Sequence, residues 1–151
     1  MNCVTACQTI LVVDDSEDDF DATKRALTKG TNLKNPIHHC EDGQEALDYL
    51  FQQGRYAAPV AAPRPGIILL DLNMPGVDGR KVLEEMNNHS DLRRIPTIVM
   101  TNSDDERDIN ACYEMGANTY VRKPLNWGSF FESMTRLKEY WFEIAVLPKS
   151  E

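Results

Sequence analysis

The stretch PGIILLDLNMPGVDGR, residues 65–80, decides the fold. Ile67 to Leu70 are four consecutive apolar residues, and they run straight into the carboxylate of Asp71. A continuous apolar run, rather than an alternating one, marks a strand covered on both faces, as in a parallel sheet between helices. Pro75 and Gly76 then turn the chain. A charge at the end of a buried strand needs a reason.

Four further short runs lie on either side: TILVV at 9–13, PIHHC at 36–40, PTIVM at 96–100 and NTYVR at 118–122. Segments of helical period separate them. Ser16 caps a helix bearing Phe20, Ala26 and Leu27 and stopped by Gly30. Asp42 and Glu45 start a second, bearing Ala46, Leu47, Leu50 and Phe51 and stopped by Gly54. Val82, Leu83 and Met86 mark a third. Ser103 and Glu106 form a capping box for a fourth, with Ile109, Cys112 and Tyr113, stopped by Gly116. The fifth spans about 126–142 with Trp127, Phe130, Met134, Leu137 and Trp141 on one stripe. Five βα units predict an α/β doubly wound (βα)5 fold of flavodoxin-like type, with parallel strand order 2-1-3-4-5 and right-handed crossovers. Residues 55–65, with three prolines and four alanines, predict an extended loop.

The 151 residues suit one domain, with a core over about 9–142 and a tail at 143–151. The net charge of −8 disfavours nucleic acid and anionic membranes. Six of the acids sit in DDSEDDFD, residues 14–21, which taken alone reads as a solvated helix start. No apolar run approaches the roughly 18 residues of a membrane span. Neither a signal peptide nor a zinc-type cysteine cluster is visible, so reduced thiols and a cytoplasmic location are expected.

On the predicted sheet order, Asp14 and Asp15 follow strand 1, Asp71 ends strand 3, Thr101 follows strand 4 and Lys123 follows strand 5. Each alone is an ordinary loop residue. Together they converge at the carboxyl edge, where this topology builds its ligand site. Converging carboxylates repel and need a cation. An all-oxygen set, with the Asn73 backbone carbonyl as a further donor, suits Mg²⁺ rather than zinc or copper. Asp71 can then act as a nucleophile toward phosphorus, with Lys123 and the Thr101 hydroxyl stabilising phosphoryl oxygens. An FMN carrier of the same topology is disfavoured, because DDSEDD would repel the cofactor phosphate. A phosphohydrolase of the haloacid dehalogenase kind is disfavoured because Asn73 stands where its acid/base Asp belongs.

The stretches ILVVDDSEDD, IILLDLNMPGVDG, IVMTNS and TYVRKP closely resemble the receiver domain of two-component response regulators. The resemblance implies that Asp71 is the phosphoacceptor, Asp14 and Asp15 the acidic pair (Asp15 the more direct Mg²⁺ ligand), Thr101 and Tyr120 the switch residues and Lys123 the phosphate-binding lysine. It implies a Lys123–Pro124 bond that is commonly cis, and it implies a signalling protein rather than an enzyme, fed by a sensor histidine kinase. Asn102 departs from the small residue usual after the switch Thr. Asn102, Ser103 and Asn73 flank the site and are expected to tune hydrolysis. His38 and His39 read as strand residues, not phosphohistidines. The Pro/Ala loop and the ending YWFEIAVLP are similar to standalone receivers paired with phytochrome-type kinases. Phe131, Tyr140, Phe142, Ile144, Val146 and Leu147 exceed what one buried face needs. They suggest a homodimer through the fourth helix, fifth strand, fifth helix and tail. The alternative is a tail folded back on its own domain.

Overall fold

The computed structural model describes residues 8–29, 33–57, 62–102, 105–123, 126–144 and 148. Five parallel strands form one sheet: β1 (Thr9–Val13), β2 (Ile37–Cys40), β3 (Pro65–Leu70), β4 (Thr97–Thr101) and β5 (Thr119–Arg122). Their order is β2-β1-β3-β4-β5, as the alternation of elements predicts. The connecting helices are α1 (Glu17–Thr28), α2 (Gly43–Phe51), α3 (Gly79–Asn87), α4 (Glu106–Glu114) and α5 (Trp127–Lys138). Among the described residues, no helix is long and apolar enough to cross a membrane.

The apolar run of β3 is explained by two cores, one on each face of the sheet. Side chains alternate along a strand. Leu11, Val13, Ile68 and Leu70 therefore pack with Ala46 and Leu50 of α2, Val82 and Leu83 of α3 and Cys112 of α4. Ile10, Val12, Ile67 and Leu69 pack with Ala26 and Leu27 of α1 and Phe130 and Met134 of α5. Every residue of β3 is buried because both pleats meet a core.

Several local expectations shift. Ser103 lies outside the described residues, and Asp105 caps α4 by accepting the Arg107 N–H. The helix α2 ends before Gly54, with Gln52 at φ 54 as the left-handed residue. Gly54–Tyr56 forms a 3-10 turn in what reads as an extended loop, because the glycine takes φ 58 and turns the chain there. Pro65 already belongs to β3, where it pairs with Thr9. The first residue of a strand tolerates proline's missing donor. Past α5 the chain continues as a π-helix over Glu139–Ile144, beyond the expected end near 142.

The fifth-helix stripe holds at Phe130 and Met134, which are buried, and at Leu137 and Trp141, which are partly buried. Phe131 is not a spare surface group. It also packs against the α1/α5 core. Tyr140 is exposed. The side chains of Trp127, Phe142 and Ile144, with Val146 and Leu147, lie outside the described part. The Pro148 carbonyl accepts a 2.8 Å hydrogen bond from Gln8 Nε2, so at this residue the tail lies on its own domain.

Gly79 joins fold to site. A Cβ there would lie 2.2 Å from the Asp71 carbonyl oxygen and 2.8 Å from Leu72 Cα. Its N–H donates to the Leu72 carbonyl at 3.0 Å, so the start of α3 presses on the segment that carries Asp71. Gly79→Ala should destabilise by about 2 kcal/mol, the range for overpacking a tight contact. Urea unfolding with an unchanged midpoint would count against this close approach.

Candidate functional site

Asp14, Asp71 and Lys123 stand one position beyond their strands, and Thr101 is the last residue of β4 rather than following it, yet their backbones stay in the ladder. The Asp14 N–H donates to the Cys40 carbonyl (3.1 Å), the Asp71 N–H to Val13 (2.9 Å) and the Lys123 N–H to Thr101 (2.8 Å). Each side chain is thus launched from backbone pinned to its neighbour strand. Buried Leu72 and Met74 then anchor the turn after Asp71.

Asp14, Asp15 and Asp71 each bring one oxygen to within 4.8 Å of the others. Asp14 is 4 % exposed and Asp71 8 %, whereas Asp15 is open to solvent. Burial pushes the Asp71 carboxyl up to about 6, aided by the charges of Asp14 and Asp15 and opposed by Lys123. Burial also raises Asp14, again against Lys123. The Lys123 ammonium lies 2.8 Å from Asp14 Oδ2, 2.8 Å from Asp19 Oδ2 and 3.5 Å from Asp71 Oδ2. Burial alone would lower its pKa, but Asp14, Asp19 and Asp71 together hold it above the ordinary lysine value. The donors are all carboxylate oxygens, and one ammonium does not balance them. The set therefore fits a hard divalent cation.

Thr101 is fully buried, and its Oγ1 accepts from Asn73 Nδ2 at 3.0 Å. The Asn73 N–H donates to Asp71 Oδ1 at 3.3 Å. One asparagine thus ties the strand-3 carboxylate to the strand-4 hydroxyl. Tyr120 is half-buried against the α2/α3 core, and its N–H donates to the Tyr113 hydroxyl at 3.1 Å. Asn102 is exposed beside Thr101. Ser103 and Pro124, and with Pro124 the Lys123–Pro124 bond, lie outside the described residues.

Two participants are not among the residues expected from sequence. Asp19 pairs with Lys123, although it lies in an acidic run that reads as solvated helix start. His39, in β2, bonds through Nε2 to the Asp14 carbonyl oxygen at 2.8 Å and stacks on Phe20 with ring centroids 3.9 Å apart. A Ser-x-x-Asp spacing at 16–19 was the available signal for Asp19, but it points to a cap rather than to Lys123. His38, Cys40 and Glu45 also bring ligand atoms within 4.8 Å of one another. That cluster is filled by its own protein: the Tyr56 hydroxyl donates to Glu45 (2.6 Å) and bonds His38 (2.9 Å), and Arg55 pairs with Glu45.

The family model described as "Response regulator receiver domain" matches residues 10–135. The response regulator Rcp1 of Synechocystis sp. is 39% identical over 139 residues, covering 92% of each chain. The solved structure of the phosphorylated cyanobacterial phytochrome response regulator RcpA superposes with a TM-score of 0.88 at 36% identity, covering 95% of this chain and 99% of that one. The Mn²⁺-bound form of Rcp1 gives 0.87 at 38% identity, covering 93% and 99%.

The Asp71 shift sets a pH dependence. A carboxyl whose folded pKa is raised binds its proton more tightly when folded. Its penalty is therefore absent below the ordinary value of 3.8, grows as pH rises and is complete above about 6. In chelator-treated protein, Asp71→Asn should raise the melting temperature more at about pH 7.5 than at about pH 5. Added Mg²⁺ should stabilise the wild type in the same order, because protons compete with the metal. Thermal melts showing equal gains at both pH values would refute the assignment.

Proposed function

Because the chain belongs to the response regulator receiver family, we propose that it accepts a phosphoryl group on Asp71 from a sensor histidine kinase. The observation that carries this reading is the Asp71 carboxylate: 8 % exposed, delivered by a rigid strand, with Lys123 3.5 Å away and two more acids in reach of one cation. An Asp71 oxygen attacks phosphorus and forms an O–P bond. The P–N bond to the donor imidazole breaks, and its electron pair leaves with that nitrogen. No base is required, since the attacking carboxylate is ionised above about 6.

Mg²⁺, held by Asp14, Asp15, Asp71 and the Asn73 carbonyl, would supply positive charge to the phosphoryl oxygens. The chain's own part is positioning and charge. Lys123 turns its ammonium to a phosphoryl oxygen. A hydroxyl accepts and donates at once, so Thr101 can keep the Asn73 amide and give its proton to another oxygen. The new dianion draws both groups toward strand 3 and biases Tyr120 and the packing of α4 and β5. Asn102, Ser103 and Asn73 set the access of water to the acyl phosphate, and Pro124 sets the aim of Lys123.

The donor is read as a phytochrome-type kinase acting in the cytoplasm. The likeness to RcpA, described as a phytochrome response regulator, supports this pairing. Residues 1–151 are read as a single receiver whose output is contact with other proteins. Its dimer face is α4, β5, α5 and the tail, where Tyr113 (47 %) and Tyr140 (52 %) are the exposed large hydrophobic side chains among the described residues.

Incubation with a small phosphodonor and Mg²⁺ should give one hydroxylamine-labile phosphoryl adduct by intact mass, abolished by Asp71→Asn. No adduct, or an adduct that survives the substitution, would sink the reading. Light scattering should show a dimer in at least one phosphorylation state, and a strict monomer in both refutes the dimer face.

A further inference from the structure

Ser16 and Asp19 have the spacing of a reciprocal capping box, in which the acid at the third helical position bonds back to the cap N–H. Only half of that box is made. The Asp19 N–H donates to Ser16 Oγ at 3.2 Å, but the Ser16 N–H donates instead to Asp14 Oδ1 at 2.9 Å. The Asp19 carboxylate is released from helix capping and reaches Lys123 Nζ at 2.8 Å, across more than a hundred residues of sequence. Its backbone is held meanwhile, since Thr23 Oγ1 donates to the Asp19 carbonyl at 2.8 Å. This side chain is aimed at the site by a fixed turn.

An ammonium has three donors and seeks the nearest anions. Lys123 gives contact distances of 2.8 Å to Asp14 and to Asp19 but stands off at 3.5 Å from Asp71. We propose that Asp19 is a positioning residue that draws Lys123 off the nucleophile, keeping the Asp71 carboxylate open to attack. The proposal rests on Asp71 being the phosphoacceptor. Without the Asp19 charge, Lys123 closes onto Asp71 and Asp14 as a tight ion pair. The attacking oxygen is then masked, and the ammonium competes more strongly for the carboxylates that would bind a cation. Asp19 is itself partly exposed, so its pull on Lys123 leaves room for the lysine to move when a phosphoryl group arrives.

The test uses the full chain as wild type, Asp19→Asn, Asp19→Glu and Asp18→Asn. Asp18→Asn removes the same charge from the same exposed turn without touching Lys123. Mn²⁺ binding is read by electron paramagnetic resonance, and phosphorylation by acetyl phosphate is followed by mass. Asp19→Asn should weaken Mn²⁺ binding and slow phosphorylation by roughly fivefold each, about the effect of one partly screened charge-assisted hydrogen bond. Asp19→Glu should restore most of both, and Asp18→Asn should change neither by more than about twofold. Equal losses in Asp18→Asn and Asp19→Asn, no loss in Asp19→Asn, or no Mn²⁺ binding by the wild type would overturn the inference. If the wild type takes no phosphate, the functional reading fails, while the Mn²⁺ comparison still decides the role of Asp19.

Discussion

Lys123 carries a single positive charge into a pocket where Asp14, Asp19 and Asp71 all face it. Burial makes Asp14, Asp71 and Lys123 expensive to ionise alone. The ammonium supports the acids, and the acids keep the ammonium charged. The balance is incomplete, because Asp15 adds a further carboxylate at the open side. That residual negative charge suits the site to a divalent cation. Metal affinity, the charge of Asp71 and the resting position of the lysine are thus one electrostatic problem.

The problem has a stable solution because the parallel sheet holds the participants still. Asp14, Asp71 and Lys123 keep their backbone hydrogen bonds to the neighbouring strand ends. Two cores clamp the sheet from both faces. A repulsive cluster placed on loose loops would simply spread apart. Here the repulsion is stored against packed structure, and a cation can relieve it. Asn73 extends the same logic to the Thr101 hydroxyl, since it contacts both Asp71 and Thr101.

Much of this was legible in the chain. The run Ile67–Leu70 showed a strand with two buried faces, and the alternation of runs and helical periods gave the strand order. The positions of Asp14, Asp71, Thr101 and Lys123 at strand ends then followed from topology. Less legible were features that depend on which of several nearby donors a group selects. Ser16 bonds Asp14 rather than Asp19, and this frees Asp19 for Lys123. His39 bonds the Asp14 carbonyl from an edge strand. Phe131 looked surplus by helical period but lies against the α1/α5 core. The start of α4 moved for a similar reason: Asp105 accepts from Arg107 and begins the helix.

The sequence by itself determined the strand order, the two-faced core and the edge at which the acids and the lysine meet. Those follow from periodicity and from the handedness of parallel crossovers, which leave few arrangements open. The tertiary structure alone decided how Lys123 divides its three donors, that Asp19 belongs to the site, and that Pro148 returns to Gln8. Such choices turn on differences of less than an ångström between competing partners. Residue spacing brings the candidates to one place, and only the packed backbone fixes which pair is in contact.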